Sequence, residues 1–281
     1  MKKWLMYILI FIFGFVAISL WSFWITISPP KVAINQTPNQ FNLPAREVAI
    51  TTKDGLKLSA WFVPSPETKR ALILLHGYPA DKGDMLFTAS SLYPDFSLLL
   101  LDLRYFGKSQ GSFTTLGLKE RFDVEAALDF LESKKFDRVG VFGFSLGGAA
   151  ALLSAADDSR IKALATYAAF SDLRTLGLEN YSRLPILKYP FVELMLLWGK
   201  ILFREDIVKL SPLNAATNIS VPVLLIHSKE DEQISFGHAL RLKKSLDRNP
   251  KAEFYFLEKG GHGELPIEFE QRLKDFFEKS L

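Results

Sequence analysis

A serine hydroxyl attacks a carbonyl only when the backbone exposes it and a base stands ready to take its proton. Gly143-Phe144-Ser145-Leu146-Gly147 reads G-x-S-x-G and sits between two different local patterns. Before it, Val139, Val141 and Phe142 form a short apolar run with β-branched residues, as in a buried strand. After it, the small residues Gly148 to Ala151 and then Leu152-Leu153 continue as a helix. A strand turning sharply into a helix strains the central serine and exposes its hydroxyl, and glycines on either side let the two elements pass closely. The helix N-terminus beneath it adds unpaired N–H groups where negative charge would develop. Ser145 is the candidate nucleophile, weighed against a tight structural turn.

Such a serine needs a base, and the base needs a third group to orient it. The chain has four histidines, so elimination is possible. His238 falls inside a helical pattern and reads as a packing or surface residue. His227 closes an apolar strand and reads as support for the loop behind it. His76 stands beside Gly77 before a turn, where its backbone matters more than its ring. His262 lies in Gly260-Gly261-His262-Gly263, a loop whose glycines can carry the ring to the serine. It is the candidate general base. The acid belongs at another strand end. Asp231, in Lys229-Glu230-Asp231-Glu232-Gln233, is favoured, with Glu230 and Glu232 as exposed neighbours. Asp172 is the rival, its plainer role being to cap a helix in Ser171-Asp172-Leu173. Two donors must hold the oxyanion: the N–H of Leu146, next after the serine, and that of Tyr78, after His76-Gly77.

These residues stand at the ends of elements legible in the sequence. Arg46–Thr52 and Leu56–Val63 flank Lys53-Asp54-Gly55, a hairpin with Asp-Gly at its tip. Further strands are expected at Ala71–Leu75, Ser97–Leu101, Arg138–Phe144, Ile161–Phe170, Val221–Ile226 and Ala252–Leu257. Helical spacing marks Leu116–Lys134, Phe236–Leu246 and Pro266–Lys279. The alternation implies an α/β fold whose mostly parallel sheet has helices on both faces, with a site at the carboxyl ends of its strands. It fails over residues 171–212, an apolar stretch that reads as one or two helices capping that end. Most of those side chains suit core packing, and a subset suits an apolar substrate slot.

The first residues are of a different kind. Trp4 to Ile27 is a run of 24 residues without a charge, about 36 Å as a helix, against a hydrocarbon core of about 30 Å. It exceeds the apolar region of a signal peptide, and no clear cleavage site follows. An uncleaved single-pass anchor over residues 4–27 is favoured over a cleaved signal. Lys2 and Lys3 before it, against Lys31 after it, favour an extracytoplasmic body. Residues 28–45, with four prolines, read as a spacer lifting the domain of residues 46–281 off the membrane. The first 30 residues hold two of the 34 basic residues and none of the 31 acidic ones. The remainder is close to neutral, which argues against a nucleic-acid partner. The absence of cysteine excludes disulfides, thiol catalysis and thiolate metal sites.

With serine, acid and histidine in that chain order, residues 46–281 resemble the α/β-hydrolase superfamily. The likeness rests on His76-Gly77-Tyr78, the Gly143–Gly147 elbow, Asp231 and His262. Asp102-Leu103-Arg104-Tyr105-Phe106-Gly107-Lys108-Ser109 resembles the superfamily's D-x-R-G-x-G-x-S turn, with Tyr105 where glycine is usual, so a different local backbone is expected. Within the superfamily the layout is similar to membrane-anchored serine hydrolases of the serine-aminopeptidase-like or acyl-hydrolase branch. The resemblance implies an eight-stranded sheet and hydrolysis through an acyl-enzyme, with no metal or organic cofactor. A small-molecule or lipid ester is the first substrate class. A peptidase or amidase is the alternative and would want a cap acid for a free amine, for which Glu179, Glu193 and Asp206 are available. A non-catalytic binding module on the same fold would require a broken triad.

Overall fold

The computed structural model describes residues 2–32 and 34–281. In chain order, α1 (Lys2–Ile27) leads to β1 (Arg46–Thr51), β2 (Lys57–Val63), β3 (Arg70–Leu75), α2 (Leu86–Leu92), β4 (Ser97–Leu101) and α3 (Glu120–Ser133). There follow β5 (Arg138–Phe144), α4 (Leu146–Asp157), β6 (Ile161–Tyr167), α5 (Leu173–Asn180), α6 (Lys188–Phe203) and α7 (Pro212–Ala216). The last elements are β7 (Val223–Ser228), α8 (Phe236–Leu246), β8 (Ala252–Leu257) and α9 (Phe269–Ser280). The eight strands form one sheet in the order β1-β2-β4-β3-β5-β6-β7-β8. The β1–β2 and β2–β4 pairs are antiparallel and all others parallel. Central strands are buried on both faces, which is why β3 and β4 read as unbroken apolar runs. One core lies under α3, α4 and α8, the other under α2 and α9.

The strand order places the site. After β3 the chain crosses to β4 on one side, then returns to β5 on the other. The ends of β3 and β5 are neighbours, with Leu75 beside Gly143, so their loops diverge and leave a crevice where ligands bind in such sheets. His76-Gly77-Tyr78 and Ser145 meet there. The β7 and β8 ends are also paired, Ser228 beside Leu257, which brings the loops of Asp231 and His262 together.

Several boundaries differ from expectation for local reasons. β6 stops at Tyr167 because Ala168 takes a left-handed turn (φ 55°). α3 starts at Glu120 because the preceding loop folds onto its carboxylate, which accepts from the Thr115 and Gly117 N–H groups and the Thr114 and Thr115 hydroxyls. Tyr105 adopts φ 75°, a left-handed conformation uncommon for a residue other than glycine.

The spacer reading of residues 28–45 is corrected. The Ile34 N–H donates to Asp81 at 3.0 Å, Leu43 is buried against the α2 side of the core, and the Tyr105 hydroxyl donates to the Pro29 carbonyl. The prolines stiffen a strap laid along the domain, where scattered apolar residues with no period still find partners. α1 divides in two. Its first half stands free, whereas Phe15 packs on Phe191 and Phe23 on Phe203 of α6.

Candidate active site

β5 ends in the sharp turn expected, and Ser145 carries its strain at φ 49° and ψ −110°. The serine N–H is held by the Tyr167 carbonyl at 2.8 Å. The flanking glycines are required by contact. A methyl on Gly143 would overlap the Gly147 carbonyl, and one on Gly147 would overlap the carbonyls of Leu75 and His76. Those obstacles are backbone atoms and cannot swing aside. Gly143→Ala should therefore cost about 3 kcal/mol or more, seen as a melting temperature lowered by roughly 6–12 °C. A melt indistinguishable from wild type would mean that the elbow is looser than its contacts require.

The His262 Nε2 lies 3.2 Å from the Ser145 Oγ, and its Nδ1 lies 2.8 Å from the Asp231 Oδ2. The ring rests on Phe144, centroids 5.0 Å apart, and Phe144 also fills the space that side chains at Gly77 and Gly263 would occupy. The glycine-rich loop is tied down at several points. The Tyr167 hydroxyl donates to the Glu264 carbonyl at 2.7 Å, the Ser228 hydroxyl to the Gly260 carbonyl, and the His262 N–H to Glu232 at 3.2 Å. Burial pushes the Tyr167 hydroxyl up to about 12, so it remains a donor at neutral pH. Burial also works to raise Asp231, but hydrogen bonds from His262 and the Ile234 and Gln233 N–H groups outweigh it and hold the carboxyl below its ordinary value. Asp231 is therefore anionic at neutral pH.

The rival acid is elsewhere. Asp172 caps α5, accepting the Thr175 N–H at 2.7 Å and the Ser171 hydroxyl at 2.8 Å. His227 supports its loop by donating from Nε2 to the Ile234 carbonyl at 2.8 Å, and burial lowers its pKa so that it stays neutral. His238 is buried and braces the cap, accepting the Ser171 N–H at 3.0 Å while its Nε2 meets Glu179 at 3.2 Å. The His76 ring matters more than its sequence position suggested. Its Nδ1 meets the Gly77 carbonyl at 2.7 Å and its Nε2 accepts the Leu103 N–H at 3.1 Å, fastening β3's end to β4's.

Tyr78 and Leu146 both line the cavity in front of Ser145, and among the described residues their N–H groups have no acceptor. The Tyr78 loop is pinned from behind by Asp102, which accepts the Lys82 N–H at 2.8 Å and its ammonium at 2.5 Å. The cavity measures about 510 Å³, within the usual range for a small-molecule site. Its walls come mainly from the cap, with Leu173 and Leu176 of α5 and Val192, Met195 and Leu196 of α6. Glu179, Glu193 and Asp206 are not among them. Glu179 is engaged by Ser235 and His238, Glu193 by Arg174, and Asp206 by Lys200. Glu232 is exposed, as read from the sequence, and also lines the cavity. Among the described residues no group of three or more histidine and acidic side chains is gathered as metal ligands would be.

A serine, an imidazole and a buried carboxylate stand in hydrogen-bond series at an apolar cavity lined by two residues whose N–H groups have no acceptor among the described residues, an arrangement suited to acyl transfer. The model of the prolyl oligopeptidase family matches residues 114–281. YfhR of Escherichia coli (strain K12) is 29% identical over 243 residues, covering 79% of this chain and 78% of that protein. The esterase Pf2001 of Pyrococcus furiosus superposes with a TM-score of 0.75 at 26% identity, over 90% of this chain and 99% of that one. The acylaminoacyl peptidase of Pyrococcus horikoshii shares the fold, with a TM-score of 0.67 at 21% identity over 85% of this chain and 42% of that one.

Proposed function

This chain belongs to the prolyl oligopeptidase family of α/β-hydrolase serine hydrolases, and from that premise we propose that it is a membrane-anchored carboxylic-ester hydrolase for substrates with an apolar acyl group. The observation that carries the reading is the series Asp231–His262–Ser145 on the wall of an apolar cavity. His262 takes the Ser145 proton at Nε2 as the hydroxyl attacks the ester carbonyl. The N–H groups of Tyr78 and Leu146 hold the oxyanion. Asp231 keeps the Nδ1–H tautomer and stabilises the imidazolium. The imidazolium then gives its proton to the departing alcohol, and water repeats the cycle on the acyl-enzyme to release the acid.

α1 serves as the anchor, with Lys2 and Lys3 on the cytoplasmic side and the domain of residues 46–281 beyond the membrane. Ester is favoured over amide because the cavity's cap walls are apolar and the three cap acids suited to an amine are engaged elsewhere. Pf2001, described as an esterase, also matches over nearly its whole length. Peptidase chemistry is the second reading, favoured by Glu232 at the cavity, a carboxylate able to meet a substrate amine. The test compares kcat/KM of the full-length detergent-solubilised protein on p-nitrophenyl acyl esters and on aminoacyl p-nitroanilides. Esters should be cleaved far faster, and a preference for the anilides would transfer the assignment to a peptidase.

A further inference from the structure

The second half of α1 is built into the hydrolase body. Ile27 is fully buried and Phe23 nearly so, in a cluster with Leu118, Leu153, Phe203 and Ile207. The Trp198 indole N–H donates to the Ser19 hydroxyl at 3.1 Å, the Thr114 N–H to the Ile27 carbonyl at 2.9 Å, and the Tyr78 hydroxyl to the Thr26 carbonyl at 3.1 Å. The last of these bonds comes from Tyr78, which lines the cavity with Ser145 and whose N–H is assigned above to the oxyanion. A cleavable leader would leave these groups exposed and unpaired once removed.

Phe23 and Thr26 also line the cavity that holds Ser145. The Phe23 ring packs on Phe203 with centroids 5.8 Å apart, so the two aromatic rings make one wall. Thr26 presents no free donor, because its hydroxyl is spent on the Ser22 carbonyl at 2.8 Å. The wall that α1 contributes is therefore apolar, which suits a chain with no polar group to satisfy. α6 supplies Val192, Met195 and Leu196 to the same cavity while Leu197 and Ile201 on its other side remain exposed.

We infer that the anchor helix is itself part of the substrate site: Phe23 forms the wall of an acyl subsite, sets the length of chain it admits, and receives the hydrocarbon chain of a membrane lipid ester. The inference rests on the ester-hydrolase reading and gives its substrate a class. It also explains why an apolar helix that anchors the protein should be fastened to the loop beside the nucleophile.

The test uses the full-length protein in lipid nanodiscs and a series of alkyl fluorophosphonates from ethyl to hexadecyl, reading the rate at which Ser145 is labelled. Wild type should react faster as the chain lengthens. Phe23→Trp, which fills the slot, should slow the long-chain reagents about tenfold, the low end of what an apolar pocket exerts over one methylene. Ethyl labelling should slow far less than long-chain labelling, and the melting temperature of each variant serves as the control for folding. Phe23→Ala should shift the preference to longer chains. Wild-type length profiles in both variants, or equal loss at every length, would overturn the inference. A wild type inert to every member of the series would instead sink the serine-hydrolase reading on which it rests.

Discussion

Ser145→Ala should lower turnover on any accepted ester by about four to six orders of magnitude, with no labelling by fluorophosphonate. No other group at the site can replace the hydroxyl. His262 is the neighbour placed to take its proton, and the carboxylate behind His262 is committed to Nδ1 and two backbone N–H groups. Stability should barely change, because alanine carries the same Cβ into the same strained backbone. Ser145→Gly separates the two effects. Glycine accepts φ 49° without steric cost, so this variant should be equally inactive yet more stable by about 1 kcal/mol, the low end of the strain held at such a position. Thermal melts of the three proteins beside ester turnover read both quantities. Turnover surviving in Ser145→Ala would remove the nucleophile and with it the proposed mechanism.

The parts of this molecule legible in its sequence are those governed by neighbouring residues. All eight strands were visible, the central ones as apolar runs, since strands buried on both faces leave little room for polar residues, and the first two from the Asp-Gly turn between them. The elbow was visible because steric demand forces glycine at positions 143 and 147. His262 stood out because its loop needs glycines, and Gly260 and Gly263 do adopt positive φ. What stayed hidden depends on partners distant in the chain. α2 is only seven residues and shows no period of its own. Residues 28–45 looked like a tether because their fixing points, Asp81 and Tyr105, lie far along the sequence. Tyr105 looked like a departure from the turn pattern; its backbone takes a left-handed form and its side chain reaches Pro29, far off in the sequence. The largest omission was α1. An unbroken apolar run announces a helix able to enter a membrane, and nothing in its periodicity tells that Phe23 faces a cavity rather than lipid. Asp231 and Asp172 posed the same difficulty, since each is an acid just past a strand and only the fold brings one of them to His262.

That choice carries the second large effect. Asp231→Asn should lower kcat by about 10⁴-fold, although the amide nearly matches the carboxylate in size. The reason lies in how the carboxylate is held. Its Oδ1 accepts the Gln233 N–H at 2.9 Å and the Ile234 N–H at 2.8 Å, while Oδ2 faces the His262 Nδ1 at 2.8 Å. An asparagine must leave its oxygen toward the two backbone donors, so its NH₂ points at Nδ1. The imidazole then accepts at Nδ1 and carries its proton on Nε2, facing the Ser145 hydroxyl it should deprotonate. The base is present, correctly placed and in the wrong tautomer. Asp172→Asn should leave turnover near wild type, since asparagine caps a helix about as well as aspartate and Asp172 has no contact with His262. Fluorophosphonate labelling rates for the two variants provide the comparison without knowledge of the natural substrate. A collapse confined to Asp231→Asn is the expected result, whereas an equal collapse in Asp172→Asn would give the orienting role to the α5 cap and reopen the geometry of the whole site.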